Sequence, residues 1–214
     1  MLSKPTRASR APRRLGALPT LLLLAVLGMD GGCQSAKAPQ SVLSDSAVRL
    51  ELPLIRQDAL YDCGLASISA LCQYWGVEIP NEERAALART AADNAGLSGD
   101  ELRSTLQRLG LEVFLFQGSL DRTPTGVLGQ IDAGRPPLVM LSSDGSVQHY
   151  ELLLGYDEPR GQLILLDPMR GEVLVPLAIF ERDWGRCRRF TLLAGRPATD
   201  ESTTTPSEPA QARN

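Results

Sequence analysis

Histidine is all but missing from this chain: one residue, His149, stands in 214. A zinc site built from side chains would have to rely on cysteines or carboxylates, and none of the four cysteines falls in a CxxC pair. Four cysteines are compatible with an oxidising compartment but too few for a disulfide scaffold. Basic residues are sparse beyond the first 32 positions, which hold five of the 22 lysines and arginines against one of the 25 acidic residues. Without that stretch the net charge moves from −3 to −7 and no basic tract remains, which argues against nucleic acid as a partner. Also absent are an internal repeat and an apolar run of the ~20 residues that a membrane-spanning helix needs.

The longest apolar run, Leu15 to Met29, follows Lys4, Arg7, Arg10, Arg13 and Arg14 and precedes Gly31-Gly32-Cys33. A basic start, a short apolar stretch and small residues form an export signal over residues 1–32, rather than a single-pass anchor. Gly-Gly-Cys resembles a bacterial lipoprotein cleavage box, which implies Cys33 as the lipidated first mature residue. Asp30 stands where that box carries an aliphatic residue, so cleavage nearby by an ordinary signal peptidase is the competing reading. Arg13-Arg14 leaves twin-arginine export open as well. The expected location is exported, periplasmic or at the outer membrane, with the lipid as the membrane contact.

Residues 33–47 and 196–214 are rich in Ser, Thr, Pro, Ala and Gln and read as a tether and a disordered tail. Residues 48–195 are left for one domain with a single core. Residues 48–56 alternate in an extended pattern that ends at Gln57. From Cys63 the period becomes helical, with Leu65, Ile68, Leu71, Cys72 and Trp75 on one broad face and Gly76 as the stop. Pro80-Asn81 opens a second helix that runs to about Ala95, and Ser98 with Glu101 forms a capping box for a third that ends at Gly110. Strands follow at 111–116, 137–141, 149–156, 162–166, 172–176 and 190–193, with short helical pieces at 127–133 and 179–184. Asp157-Glu158-Pro159-Arg160-Gly161 predicts a hairpin. Helices first and an antiparallel sheet after them make an α+β layout.

Four positions carry chemistry. Cys63 opens the strongest helix, where unpaired N–H groups and the positive dipole end favour a thiolate. Cys72 lies nine residues on, on the opposite side of that helix at ~100° per residue, and reads as packed. Cys72 and Cys187 can pair or stand as small buried residues. His149 begins a strand after a polar loop and suits a base that takes the Cys63 proton. Asp167 ends the next strand of the hairpin, so it falls at the same end of the sheet as His149 and can orient the imidazole; Asp-Pro is also a common way to start a turn. Gln57 precedes Cys63 by a five-residue loop and can fold its amide back as an oxyanion donor beside the Cys63 N–H. Nucleophile, base, orienting carboxylate and amide donor are the parts of a thiol hydrolase that needs no metal or organic cofactor.

The stretch from Gln57 through Asp62-Cys63-Gly64-Leu65-Ala66-Ser67 to Tyr74-Trp75-Gly76, with His149-Tyr150 and Asp167-Pro168, resembles the bacteriocin-processing, double-glycine leader peptidases. The likeness covers roughly residues 50–190, including Gly96–Ser98 and Leu109-Gly110-Leu111. It implies a papain-like fold, a thiolate–imidazolium pair, and cleavage of a peptide or protein substrate after Gly-Gly. Many members of that group are the first domain of an ABC exporter and face the cytoplasm, whereas this sequence carries an export signal. The substrate is therefore open. The expectation is an exported cysteine peptidase using Cys63, His149, Asp167 and Gln57. The alternative keeps the fold and drops the hydrolysis, as a papain-like module that binds a peptide or protein, or transfers an acyl group.

Overall fold

The computed structural model describes residues 43–197. The expected signal, Cys33, most of the tether and the tail from 198 lie outside the described residues. A two-residue strand, β1 (Val48–Arg49), leads into three helices: α1 (Cys63–Tyr74), α2 (Asn81–Asn94) and α3 (Gly99–Arg108). The sheet strands that follow are β2 (Glu112–Gln117), β3 (Leu138–Leu141), β4 (His149–Asp157), β5 (Gln162–Asp167), β6 (Gly171–Pro176) and β7 (Phe190–Gly195). Helix α4 (Val127–Asp132) precedes β3, and α5 (Leu177–Arg186) joins β6 to β7. All pairings are antiparallel, in the order β2-β7-β3-β4-β5-β6. This is the α+β arrangement expected.

The period of 2 in the strands divides the core between two faces. Leu152, Leu154, Ile164, Leu166, Leu138 and Leu192 face α1, α2 and α3. Leu153, Leu163, Leu165, Val139 and Leu141 face α4 and α5, where Phe180 and Trp184 are fully buried. A register shift in β4 between Leu153 and Gly155 turns Tyr156 to that second face.

Helix α1 departs from expectation. It is not half-buried: every residue from Cys63 to Cys72 is inside, because α2 and α3 cover the side that the sheet leaves open. Its serines are satisfied internally, Ser69 Oγ donating to Leu65 O at 2.6 Å and Ser67 Oγ to Tyr150 O at 3.4 Å. Gly76 at φ +67° and Gly110 at φ +85° end α1 and α3 as anticipated.

The extended segment at 48–56 shortens to β1 (Val48–Arg49), paired with Tyr156 and Gly155 of β4. Leu50 N–H still donates to Leu154 O at 2.9 Å, but Pro53 has no N–H to continue a ladder. The last tether residues are docked rather than loose: Ser44 donates its N–H and Oγ to the fully buried Asp157, at 2.8 and 2.6 Å. Helix α5 is longer than the predicted turn, since Pro176 caps a ten-residue helix. Cys72 and Cys187 are free, buried thiols.

Ser98 makes the expected box, its Oγ accepting from Glu101 N–H at 3.2 Å while Glu101 Oε2 accepts from Ser98 N–H at 2.7 Å. Ser98→Ala should therefore destabilise the domain by about 1 kcal/mol, read as a lowered urea midpoint with an unchanged m-value.

Candidate active site

Three of the four predicted residues come together at one end of the sheet. His149 opens β4 and Asp167 closes β5; the β4–β5 register, Leu152 against Leu166, sets Asp167 across from Glu151 and diagonal to His149, two residues along the strand. The His149 Nε2–H donates to Asp167 Oδ1 at 2.9 Å. With Nε2 engaged, Nδ1 is the imidazole nitrogen left for Cys63, which interacts with the ring and lines the same cleft.

Asp167 is 2% exposed and remains ionised because donors surround it. Burial pushes its carboxyl up, but His149, the Arg170 guanidinium and the Met169 N–H at 2.7 Å together hold it well below the usual carboxylate range. Burial would likewise push the His149 imidazole down; the Asp167 bond and then the facing Cys63 outweigh that, and the ring keeps its proton up to about 10.

Cys63 responds in the opposite sense. Burial raises its thiol, yet His149 and the backbone N–H groups of Tyr150 and Gly64 bring it below the ordinary value. No side chain caps the start of α1 and no acidic residue lies in its first turn, so the helix end offers its N–H groups to an anion. Gly64 permits the approach: a Cβ there would stand 3.3 Å from both Leu102 and Tyr150. Cys72 has no such donors, and burial drives it up to about 11.

Gln57 does not join the group. Its Nε2 donates to Ala59 O at 2.8 Å and Leu60 O at 3.3 Å, and its buried Oε1 has no partner. It lines a separate hollow with Arg84 and Ala88 rather than the Cys63 cleft. The loop supplies carbonyls two and three residues on, closer to hand than the sulfur, and these capture the amide.

Two neighbours escaped the sequence reading. Arg170 bonds Asp167 Oδ2 and reaches Glu151 Oε1 at 3.5 Å. Glu151 was visible as a lone charge in the apolar run Tyr150–Leu154. Donor atoms of His149, Glu151 and Asp167 lie within 4.8 Å of one another, a spacing that a cation could bridge. The Arg170 guanidinium already supplies positive charge to both carboxylates there. The cleft itself measures about 1040 Å³ and is rimmed by the exposed apolar side chains Leu60, Tyr61, Val147 and Met169.

A curated relative, the lactococcin-G-processing and transport ATP-binding protein LagD of Lactococcus lactis, is 25% identical over 131 residues, 61% of this chain. The chain spans only 17% of that protein's length. The peptidase domain of Streptococcus ComA superposes with a TM-score of 0.55 at 18% identity, over 69% of this chain and 98% of that one. A double glycine motif protease from an AMS/PCAT transporter, solved with its leader peptide, gives 0.52 at 20% identity, over 70% and 94%. Residues 51–191, well over half of the sequence, match the model of the Peptidase C39 family, and the chain belongs to this family of cysteine peptidases.

Proposed function

We propose that this chain is an exported peptidase in which Cys63, His149 and Asp167 act as a triad. The observation that carries the proposal is the placement of His149, bonded to a buried carboxylate and interacting with a thiol at an uncapped helix start in the same cleft. The Cys63 thiolate attacks the scissile carbonyl carbon. His149 gives its proton to the leaving amine as the C–N bond breaks, then takes one from the water that releases the acyl group from sulfur. Asp167 holds the imidazole's orientation throughout.

Backbone N–H groups at the start of α1 are the nearest oxyanion donors. Gln57 can assist only after its amide leaves Ala59 and Leu60. That committed amide is the one observation that favours the alternative, a binding module or acyl-transfer module on the same fold. A peptide suits the open cleft with its apolar rim, and we take cleavage after Gly-Gly as the reaction, in line with the double glycine motif protease whose fold this chain shares. We read residues 1–32 as the export signal and Cys33 as the lipidated residue, which would tether the domain to a membrane from the periplasmic side.

Iodoacetamide should label Cys63 far faster than Cys72 or Cys187 near neutral pH. Its rate should rise with pH at a midpoint below that of a free thiol, because the lowered value keeps the thiolate populated in more acidic solution. A Cys63 rate equal to that of an unperturbed thiol removes the ion pair.

Cys63→Ala should abolish turnover with an unchanged thermal midpoint, since alanine suits a first helical turn. Asp167→Asn should leave weak activity, and full activity in it removes Asp167 from the triad. Cut sites in a peptide library, read by mass spectrometry, test the reaction: cleavage after Gly-Gly is expected, and an uncut library favours the binding module.

A further inference from the structure

Glu151 is the exception in β4. It stands in a strand buried from Tyr150 onward, it is 4% exposed, and its Oε2 has no partner. Its Oε1 has only the long contact to Arg170 at 3.5 Å. A carboxylate so placed costs free energy and is a poor choice for packing alone. It also shares a face of β4 with His149, two residues away. Arg170, with a side chain 62% exposed, donates to Asp167 from Nε and to Glu151 from Nη2. One guanidinium thus joins the carboxylate that holds His149 to the carboxylate behind it, and the mechanism above uses neither residue.

We propose that Arg170 and Glu151 are positioning residues: Arg170 clamps Asp167 in its orientation toward His149, and Glu151 supplies a second negative charge that tightens the hold of His149 on its proton. The inference rests on reading Cys63 and His149 as an ion pair. The charged groups facing Glu151 are Asp167 from β5, His149 on its own strand, Arg170 from the β5–β6 turn and Asp183 from α5. Burial first, then the Asp167 charge, pushes Glu151 up to about 7, while His149 and Arg170 hold it down. Glu151 therefore gains its charge across neutrality. Above that point it favours the imidazolium; below it, the support is lost.

The chain's single histidine makes the test direct, since its ring resonances are unique. The ring is titrated by NMR in the full-length protein, in Glu151→Gln and in Arg170→Met. The unaltered protein should show the main transition near pH 10 and a smaller inflection near 7. In Glu151→Gln the small inflection should vanish and the main transition fall by about one pH unit. Should that variant not fold, Arg170→Met alters an exposed side chain. Loss of its charge should move the small inflection upward, because a cation no longer favours ionised Glu151. A titration in either folded variant that matches the unaltered protein overturns the proposal, including where only thermal stability changes. A main transition near the ordinary 6.5 in the unaltered protein overturns the ion-pair reading itself.

Discussion

Everything at the reactive end depends on keeping one buried carboxylate charged. Asp167 is 2% exposed, and a carboxyl in that position without partners takes up a proton. A neutral Asp167 would no longer fix the imidazole by a charge-assisted bond, and the ring would lose its reason to hold a proton opposite the sulfur. Three donors prevent this, and each arises locally. His149 comes from the neighbouring strand, Met169 N–H from the turn two residues on, and Arg170 from the residue after that. The turn-starting and imidazole-orienting uses of Asp167 are therefore not alternatives. Oδ1 accepts from the turn N–H and from the ring together, so the turn locks the carboxylate in the orientation the ring requires.

The three described cysteines show that donors, rather than burial, decide which thiol ionises. Cys63, Cys72 and Cys187 are 8%, 1% and 6% exposed, all inside the core. Burial raises each of them, and Cys187 also meets the charge of Asp183. Only Cys63 receives an imidazole and two backbone N–H groups, and only Cys63 is lowered. That set of donors requires α1 and β4 to meet closely, which is why a glycine follows the cysteine and why the helix start carries no competing cap.

The elements were legible where local chemistry decides them: the Ser98–Glu101 box, the Gly76 stop and the β4–β5 hairpin all act within a few residues. The His149–Asp167 pairing was legible for the same reason, since a hairpin's register is a local property. What escaped depends on tertiary packing or on competition between partners. The all-round burial of α1 needs α2 and α3 in place, and the periodicity of α1 alone shows one face. The five-residue loop gives the Gln57 amide the reach to the sulfur, but reach does not say which acceptor wins, and Ala59 and Leu60 lie closer in the chain. Glu151 was readable as a charge in an apolar strand; its partner Arg170 was not, because nothing in the turn sequence says where a long side chain folds back.

In the proposed triad, recognition and chemistry share the same three segments. Leu60, 71% exposed, stands three residues before Cys63; Val147, 69% exposed, stands two before His149; Met169, 56% exposed, stands two after Asp167. Each reactive side chain therefore sits beside an apolar one that faces water in the free protein. A peptide that covers these apolar residues removes water from the same cleft that holds the thiol and the imidazole. Lower local polarity strengthens every charge interaction left inside. On that proposal, the attraction between sulfur and ring grows as a peptide seats, provided that His149, the Met169 N–H and Arg170 keep Asp167 charged. If Cys63 and His149 form the proposed ion pair, an apolar rim around it couples occupancy of the cleft to the strength of the nucleophile, with no moving part beyond the peptide.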